Sequence, residues 1–182
     1  MALFALAILF SPGAKAQTND NLLDTRPAES RAVEAGDLDA LRSLLIGGSN
    51  TGVSDSSGRS LLMIAASRND IDIMELLFDY DVQREQRDVN GATALHWAIR
   101  SGAVDATILL LENGADPNVQ DNQGMTPLML AVRKNDRFLV EEVLLANPDM
   151  NIADYTGRTA LDWARTGRDS SIVRLLEDAG AS

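Results

Sequence analysis

The sequence contains no cysteine, few aromatic residues and fewer basic than acidic side chains. The absence of cysteine excludes disulfides, thiol nucleophiles and cysteine-ligated zinc. Aromatic residues make up 4% of the 182 residues and hydrophobic residues 45%, so the core must be aliphatic and rich in alanine, which favours packed helices over a β-sandwich. The net charge of −11 argues against nucleic acid as a partner, because phosphate binding requires a basic surface.

A hydrophobic run long enough to span a bilayer is also missing, because the apolar stretch at residues 1–10 is shorter than the roughly 20 residues that a span requires. Further on, Ala14 and Ala16 flank one residue in the small-x-small pattern of a signal-peptidase site. We therefore predict a signal peptide over residues 1–16, a polar leader over 17–27, a periplasmic or secreted location and no stable membrane insertion after cleavage. No basic residue precedes the apolar stretch, which leaves two alternatives open: a true start upstream, or an apolar tail on a cytoplasmic protein.

The rest of the chain repeats itself every 33 residues. An aspartate, a glycine three residues later and a hydroxyl residue two further on recur at this period, and a column of alanines extends it one unit towards the N-terminus. The glycines are Gly58, Gly91, Gly124 and Gly157, and the alanines are Ala32, Ala65, Ala98, Ala131 and Ala164. A fixed period of this length indicates a repeat array.

Each unit is predicted to be a turn followed by two helices. Asp-x-x-Gly favours a turn, because aspartate accepts hydrogen bonds from backbone amides ahead of it and glycine tolerates positive φ. The hydroxyl residue then caps the first helix, and Pro127 stands at a first helical position, where its missing N–H is harmless. Residues typical of left-handed helix ends separate the two helices at Gly36, Asn69, Gly102 and Asn135, and follow the second helix at Gly48, Asp81, Gly114, Asn147 and Gly180.

These motifs resemble the ankyrin repeat, whose core reads Gly-x-Thr-Pro-Leu-His-x-Ala after the turn. Residues 124–131 read Gly-Met-Thr-Pro-Leu-Met-Leu-Ala. The resemblance covers residues 30–182 and implies an all-α ankyrin-repeat solenoid of about five helix-turn-helix repeats with short turn tips. The repeats are expected at approximately residues 28–54, 55–87, 88–120, 121–153 and 154–182, with the first and last acting as capping repeats. Taken with its N-terminal segment, the chain resembles exported bacterial ankyrin-repeat proteins.

His96 is the only histidine, and the resemblance implies that it bonds back to its own turn and to the neighbouring repeat. The same register in other repeats holds Met63, Met129 and Asp162. A ring of histidines that could bind a metal therefore cannot form, and we expect His96 to be structural.

Other residues that could suggest chemistry do not complete a site. The glycines within residues 47–52 lack the Gly-Lys-Ser/Thr ending of a phosphate loop, and residues 149–154 lack the glycine and distal glutamate of a calcium loop. Trp97 and Trp163 are expected to pack between helices. We predict a protein that is not an enzyme and that binds neither a cofactor nor a metal.

The resemblance implies that a protein partner lies in a concave groove, across the turn tips and the exposed face of the first helices. We use "groove" for this surface throughout. Six predicted groove residues are basic, namely Arg59, Arg68, Arg100, Arg133, Lys134 and Arg158, and four would add shape and hydrogen bonds, namely Asn90, Gln123, Met125 and Tyr155. A basic groove on an acidic protein favours an acidic segment as the partner.

A second interpretation of these cations is helix stabilisation. Arg68, Arg100, Arg133 and Lys134 stand at predicted helix C-termini, where a positive charge interacts favourably with the helix dipole. The two remaining arginines are not at helix ends, so the dipole does not account for them. We predict a monomeric interaction module that binds a protein through this groove, with an inhibitor or immunity-type protein that occludes an enzyme's active site as the alternative.

Overall fold

The structure is a computed structural model that describes residues 26–167 and 170–181. The predicted signal peptide and most of the predicted leader lie outside the described residues. Within these residues the secondary structure consists of ten helices: α1 Ala28–Ala35, α2 Leu38–Ile46, α3 Leu61–Ser67, α4 Ile71–Asp79, α5 Ala94–Ser101, α6 Val104–Glu112, α7 Pro127–Lys134, α8 Arg137–Leu145, α9 Ala160–Thr166 and α10 Ser170–Asp178.

The ten helices form five helix hairpins that stack in chain order. The first helices contact one another in the series α1, α3, α5, α7 and α9, and the second helices do so in the series α2, α4, α6, α8 and α10. The only β-type pairing among the described residues is an isolated bridge between Ser54 and Ser60. The prediction of an all-α solenoid of about five helix-turn-helix units is therefore confirmed.

The helix ends lie where the sequence predicts them. Positive φ angles occur at all four predicted breaks between first and second helices, Gly36, Asn69, Gly102 and Asn135, and after the second helices at Gly48, Asp81, Gly114, Asn147 and Gly180. Hydroxyl caps are also present: the Oγ atom of Ser60 accepts the Met63 amide at 3.3 Å, and Thr126 accepts the Met129 amide at 3.3 Å. These caps fix where each hairpin begins and turns.

The core runs along the array as one aliphatic layer. The five alanines of the repeat column are all buried, with exposures between 0% and 6%, and they allow neighbouring first helices to approach closely. No aromatic side chain belongs to the buried hydrophobic set of the described residues. Because every hairpin packs on its neighbours, stability depends on contacts between repeats.

Candidate protein-binding surface

The turn tips are held by their aspartates. In the fourth repeat, Oδ1 of Asp121 accepts the backbone N–H of Gln123 at 2.8 Å and that of Met125 at 3.0 Å. The same pair of bonds, to the second and fourth residues ahead, is made by Asp55, Asp88 and Asp154. Each tip therefore keeps one shape, set by a buried or nearly buried carboxylate.

Neighbouring tips are joined by backbone hydrogen bonds. The amide of Asn122 donates to the carbonyl of Asn90 at 2.9 Å, and the amide of Tyr155 donates to the carbonyl of Gln123 at 3.2 Å. A longer bond, from the amide of Val89 to the carbonyl of Ser57 at 3.4 Å, joins the tips of the second and third repeats. This close approach leaves no room beside Gly124, where an added Cβ would meet the Tyr155 amide nitrogen at 2.6 Å. The tips thus form one connected edge of the groove.

The second carboxylate oxygen of each tip aspartate binds a side chain on the groove side. Oδ2 of Asp88 accepts the indole N–H of Trp97 at 3.1 Å, and Oδ2 of Asp154 accepts that of Trp163 at 2.9 Å. In the other two repeats the donors are arginines, which form the pairs Asp55 with Arg59 at 2.7 Å and Asp121 with Arg100 at 2.6 Å. Both tryptophans are half-buried, so their predicted packing between helices is only part of their role. The sequence signal for this bond is an aspartate nine residues before each tryptophan.

Hydrogen bonds lower the pKa of two tip carboxylates, those of Asp154 and Asp55. Burial raises the pKa of Asp154, but hydrogen bonds from the Thr156 hydroxyl, the Arg158 amide and the Trp163 indole outweigh it and lower the pKa to about 2. Burial likewise raises the pKa of Asp55, and hydrogen bonds from Arg59 and the Ser57 amide more than reverse that effect. The negative charge at the tips is therefore directed inward and already used by donors of the fold.

Two of the six predicted groove cations are partly exposed and form ion pairs with carboxylates of the protein itself. Arg59 binds Asp55 and also lies 3.7 Å from a carboxylate oxygen of Glu34. Arg100 binds Asp121, whose side chain is 2% exposed. The helix-dipole interpretation did not include these ion pairs. Asp55, four residues before Arg59, was a visible signal for one of them, whereas Arg100 and Asp121 meet only through repeat stacking.

The other four cations are exposed and are not in salt-bridge distance of any carboxylate among residues 26–167 and 170–181. They are Arg68, Arg133, Lys134 and Arg158. The ammonium group of Lys134 donates to the carbonyl of Arg100 at 3.2 Å, which places it against the preceding repeat. Asn90, Gln123 and Tyr155 are exposed at the tips, as predicted, and Tyr155 is 73% exposed.

The prediction that Met125 contacts a partner is wrong. Its side chain is 2% exposed and belongs to the hydrophobic core. The residue after the tip glycine turns inward when its side chain is apolar, as Met125 and Ala92 do, because burial of apolar surface is favourable. At the same register Arg59 and Arg158 reach outward, since a guanidinium resists burial.

His96 is structural, as expected, and is fully buried. Its Nδ1 atom accepts the backbone N–H of Thr93 at 3.2 Å, so the ring proton lies on Nε2, which donates to the carbonyl of Met125 at 3.1 Å. Burial lowers the pKa of His96, and the hydrogen bond to Met125 opposes that effect without overcoming it. The neutral ring thus fastens its own turn to the next repeat, and both nitrogens are occupied.

Within the described ranges, no helix combines the length and the apolar character needed to cross a bilayer. The same residues contain no group of three or more histidine, cysteine, aspartate or glutamate side chains placed to hold a metal ion.

Stacked helix hairpins with linked turn tips define a helical repeat solenoid. The family model described as "Ankyrin repeats (3 copies)" matches residues 30–121 and 108–182, and the chain belongs to the ankyrin-repeat family. Members of this family generally mediate protein–protein interactions and are typically not enzymes. No curated protein matches the chain.

Proposed function

We propose that this chain binds an acidic segment of a protein partner in its groove. The observation that carries the proposal is the placement of charge. Arg68, Arg133 and Lys134 at the ends of first helices, and Arg158 beside a turn tip, are exposed and have no carboxylate within salt-bridge distance among the described residues, on a protein whose net charge is −11. A basic groove on an acidic protein would steer an acidic ligand to this surface and help to fix its register.

The buried tip aspartates do not compete with a partner for these cations. Asp88, Asp121 and Asp154 are exposed by 7%, 2% and 5%, and both carboxylate oxygens of each accept hydrogen bonds from the protein. The aspartates that build these three turns therefore leave the exposed cations available to an acidic segment.

The same proposal assigns the protein no catalytic step and no cofactor, and it treats the chain as a monomer. The support is that His96 and the tip aspartates, the buried ionisable side chains described above, are all committed to hydrogen bonds within the fold. A general base must be able to reach a substrate proton, and a metal ligand must have a free donor atom.

The test is capture of the partner with a photo-crosslinking amino acid placed on the groove or on the opposite side. Gln123 at a turn tip is the groove position, and Phe138 on the second helix α8, which is 71% exposed, is the control. We expect one protein from the native host to crosslink from the tip and not from α8. Crosslinking only from α8, or from neither position, would contradict the proposal.

Charge reversal tests the acidic nature of the partner. Arg133→Glu with Arg158→Glu should abolish capture, whereas Arg42→Glu with Arg174→Glu should retain it, because the latter pair lies on the second helices α2 and α10. Both double variants change the net charge equally, so long-range repulsion is matched. When the captured partner is an enzyme, its activity in the complex distinguishes a scaffold from the occluding inhibitor that the sequence left as an alternative.

A further inference from the structure

Two arginines from different repeats stack on one tryptophan. The Cζ atom of Arg133, at the end of α7, lies 5.9 Å from the centroid of the Trp163 ring, and that of Arg158, in the turn before α9, lies 5.0 Å from it. The ring is held in place by the bond from its Nε1 atom to Asp154. Since both guanidinium groups are within 6 Å of one centroid, they are no more than about 11 Å apart.

The third repeat provides an internal comparison. Trp97 occupies the same register as Trp163 and also carries a stacked arginine, Arg59, at 5.5 Å. In that repeat the positive charge is neutralised, because Arg59 binds the carboxylates of Asp55 and Glu34. The Trp163 cluster differs in having two arginines and, among the described residues, no carboxylate within salt-bridge distance of either.

Two carboxylates near the Trp163 cluster form hydrogen bonds within the fold. Both oxygens of Asp154 are occupied by the turn and the indole. One oxygen of Asp162 accepts both the backbone N–H and the hydroxyl of Thr159, each at 2.9 Å; these bonds lower the pKa of Asp162, and the charge of Arg158 contributes to the same shift without a salt bridge. Arg133 and Arg158 are both exposed, so their positive charge faces solvent.

A guanidinium held near an aromatic face by a cation–π contact still has N–H donors, and those donors match a carboxylate in a bidentate arrangement. Side chains at positions i and i+2 of an extended segment point to the same side and are roughly 7 Å apart, within the separation that the two arginines allow. We infer that Arg133, Arg158 and Trp163 form a subsite for two carboxylates of an Asp/Glu-x-Asp/Glu element in an extended partner segment. This inference rests on the proposed function and locates the part of the groove that selects the partner.

The experiment uses Trp163 as its own reporter. In a Trp97→Phe background Trp163 is the one remaining tryptophan. The probe is a capped peptide, Gly-Ser-Glu-Gly-Glu-Ser-Gly, compared with the same peptide carrying glutamine in place of glutamate. We expect a saturable change in tryptophan emission with the glutamate peptide alone, weakened by added salt.

Single variants locate the contacts. Arg133→Gln and Arg158→Gln should each weaken peptide binding by about tenfold, because each removes a charge-assisted bidentate bond. Arg174→Gln removes the same charge from the second helix α10, outside the groove, and should change binding less than about twofold. Helical circular dichroism confirms that each variant is folded.

Three results would overturn the subsite. The first is binding that is unaffected by Arg133→Gln and Arg158→Gln. The second is no saturable change up to about 10 mM peptide, which is enough to detect a millimolar Kd. The third is binding of a phosphoserine peptide with no binding of the glutamate peptide. Capture of the partner from Gln123 that survives Arg133→Gln and Arg158→Gln but is lost on reversal of both residues to glutamate removes the subsite and leaves the proposed function standing. Absence of any crosslink from Gln123 in the otherwise unchanged protein removes the proposed function itself.

Discussion

Alanine substitution at two equivalent tip glycines would measure how tightly the last two repeats are joined. Gly124 and Gly157 have nearly the same backbone, with φ angles of 78° and 83°. At Gly124 an added Cβ meets the Tyr155 amide nitrogen at 2.6 Å and the Asp154 Cα atom at 3.0 Å, whereas at Gly157 it meets no heavy atom within 4 Å. Both variants therefore place an alanine in a left-handed conformation, but only Gly124→Ala also crowds neighbouring atoms.

The shared cost is that of a left-handed alanine, about 1–2 kcal/mol, partly offset by about 0.4–1 kcal/mol because alanine restricts the unfolded chain. The additional cost at Gly124 is crowding. Its nearest neighbours include the Tyr155 ring atom Cδ1 at 2.7 Å and two backbone atoms. The ring can rotate away but the backbone atoms cannot, so the tip must shift, at about 1–3 kcal/mol. We expect Gly124→Ala to lower the free energy of unfolding by about 1–3 kcal/mol more than Gly157→Ala.

Urea unfolding followed by helical circular dichroism provides the measurement, with the slope of the transition fitted for each variant. A lower slope for Gly124→Ala alone would show that the hairpin of α9 and α10 unfolds separately, as expected when one interface of a repeat array is weakened. Equal loss of stability in the two variants, within about 0.5 kcal/mol, would refute the reasoning, because the tip contact between the fourth and fifth repeats would then carry no cost of crowding.

Three further predictions concern His96, the groove arginines and the N-terminus. The pKa of His96 in the folded protein lies below its ordinary value of 6.5. The stability that the neutral ring contributes is therefore present above about pH 6.5 and is lost as the pH falls through the folded pKa. The urea concentration at the unfolding midpoint should decrease between about pH 7.5 and 5 in the wild type, and should decrease less in His96→Met. Arg100→Glu should lower the free energy of unfolding by about 1–3 kcal/mol, because it leaves the buried Asp121 facing a second carboxylate, whereas Arg68→Glu should cost less than about 1 kcal/mol. The intact mass of protein recovered from the native host should correspond to residues 17–182.

The predictions for His96 and Arg100 each have a comparison within the same protein, and all three have a result that would contradict them. Methionine already occupies the register of His96 in two other repeats, where Met63 accepts a backbone N–H through its sulfur atom, so the histidine variant should fold. A pH dependence that is the same in both proteins would show that His96 does not titrate as argued. Equal destabilisation by the two arginine reversals would remove the distinction between a structural and a free cation. A chain that retains Met1 and is found in the cytosol would contradict export.

The architecture could be predicted because its local rules are sharp. Positions that need a positive φ accept few residue types, and glycine or asparagine appeared at almost all of them, as at Gly102 and Asn135. The repeated Asp-x-x-Gly motif likewise predicted the turn tips. Each signal occurs several times in one chain, so the register did not depend on any single residue.

The groove was harder to predict because its properties depend on which side chains meet across repeats. Arg59 and Arg158 share a register, yet one is neutralised by two carboxylates while the other stacks on Trp163 without one. Met125 shares that register too, and its apolar side chain enters the core. The repeat period predicts the position of a residue within its repeat, but the direction of its side chain depends on its chemistry and on its neighbours.

The two oxygens of each tip aspartate have different roles, and this determines which tip residues can be substituted without loss of the fold. One oxygen of Asp121 shapes the turn, and the other holds Arg100 in place, so a substitution there disturbs folding and the groove together. The side chain of Asn122 donates to the Val89 carbonyl, whereas Asn90 and Gln123, which are exposed at the tips, use only their backbone in the bonds between tips. New specificity can therefore be selected by varying these side chains while the aspartates are kept.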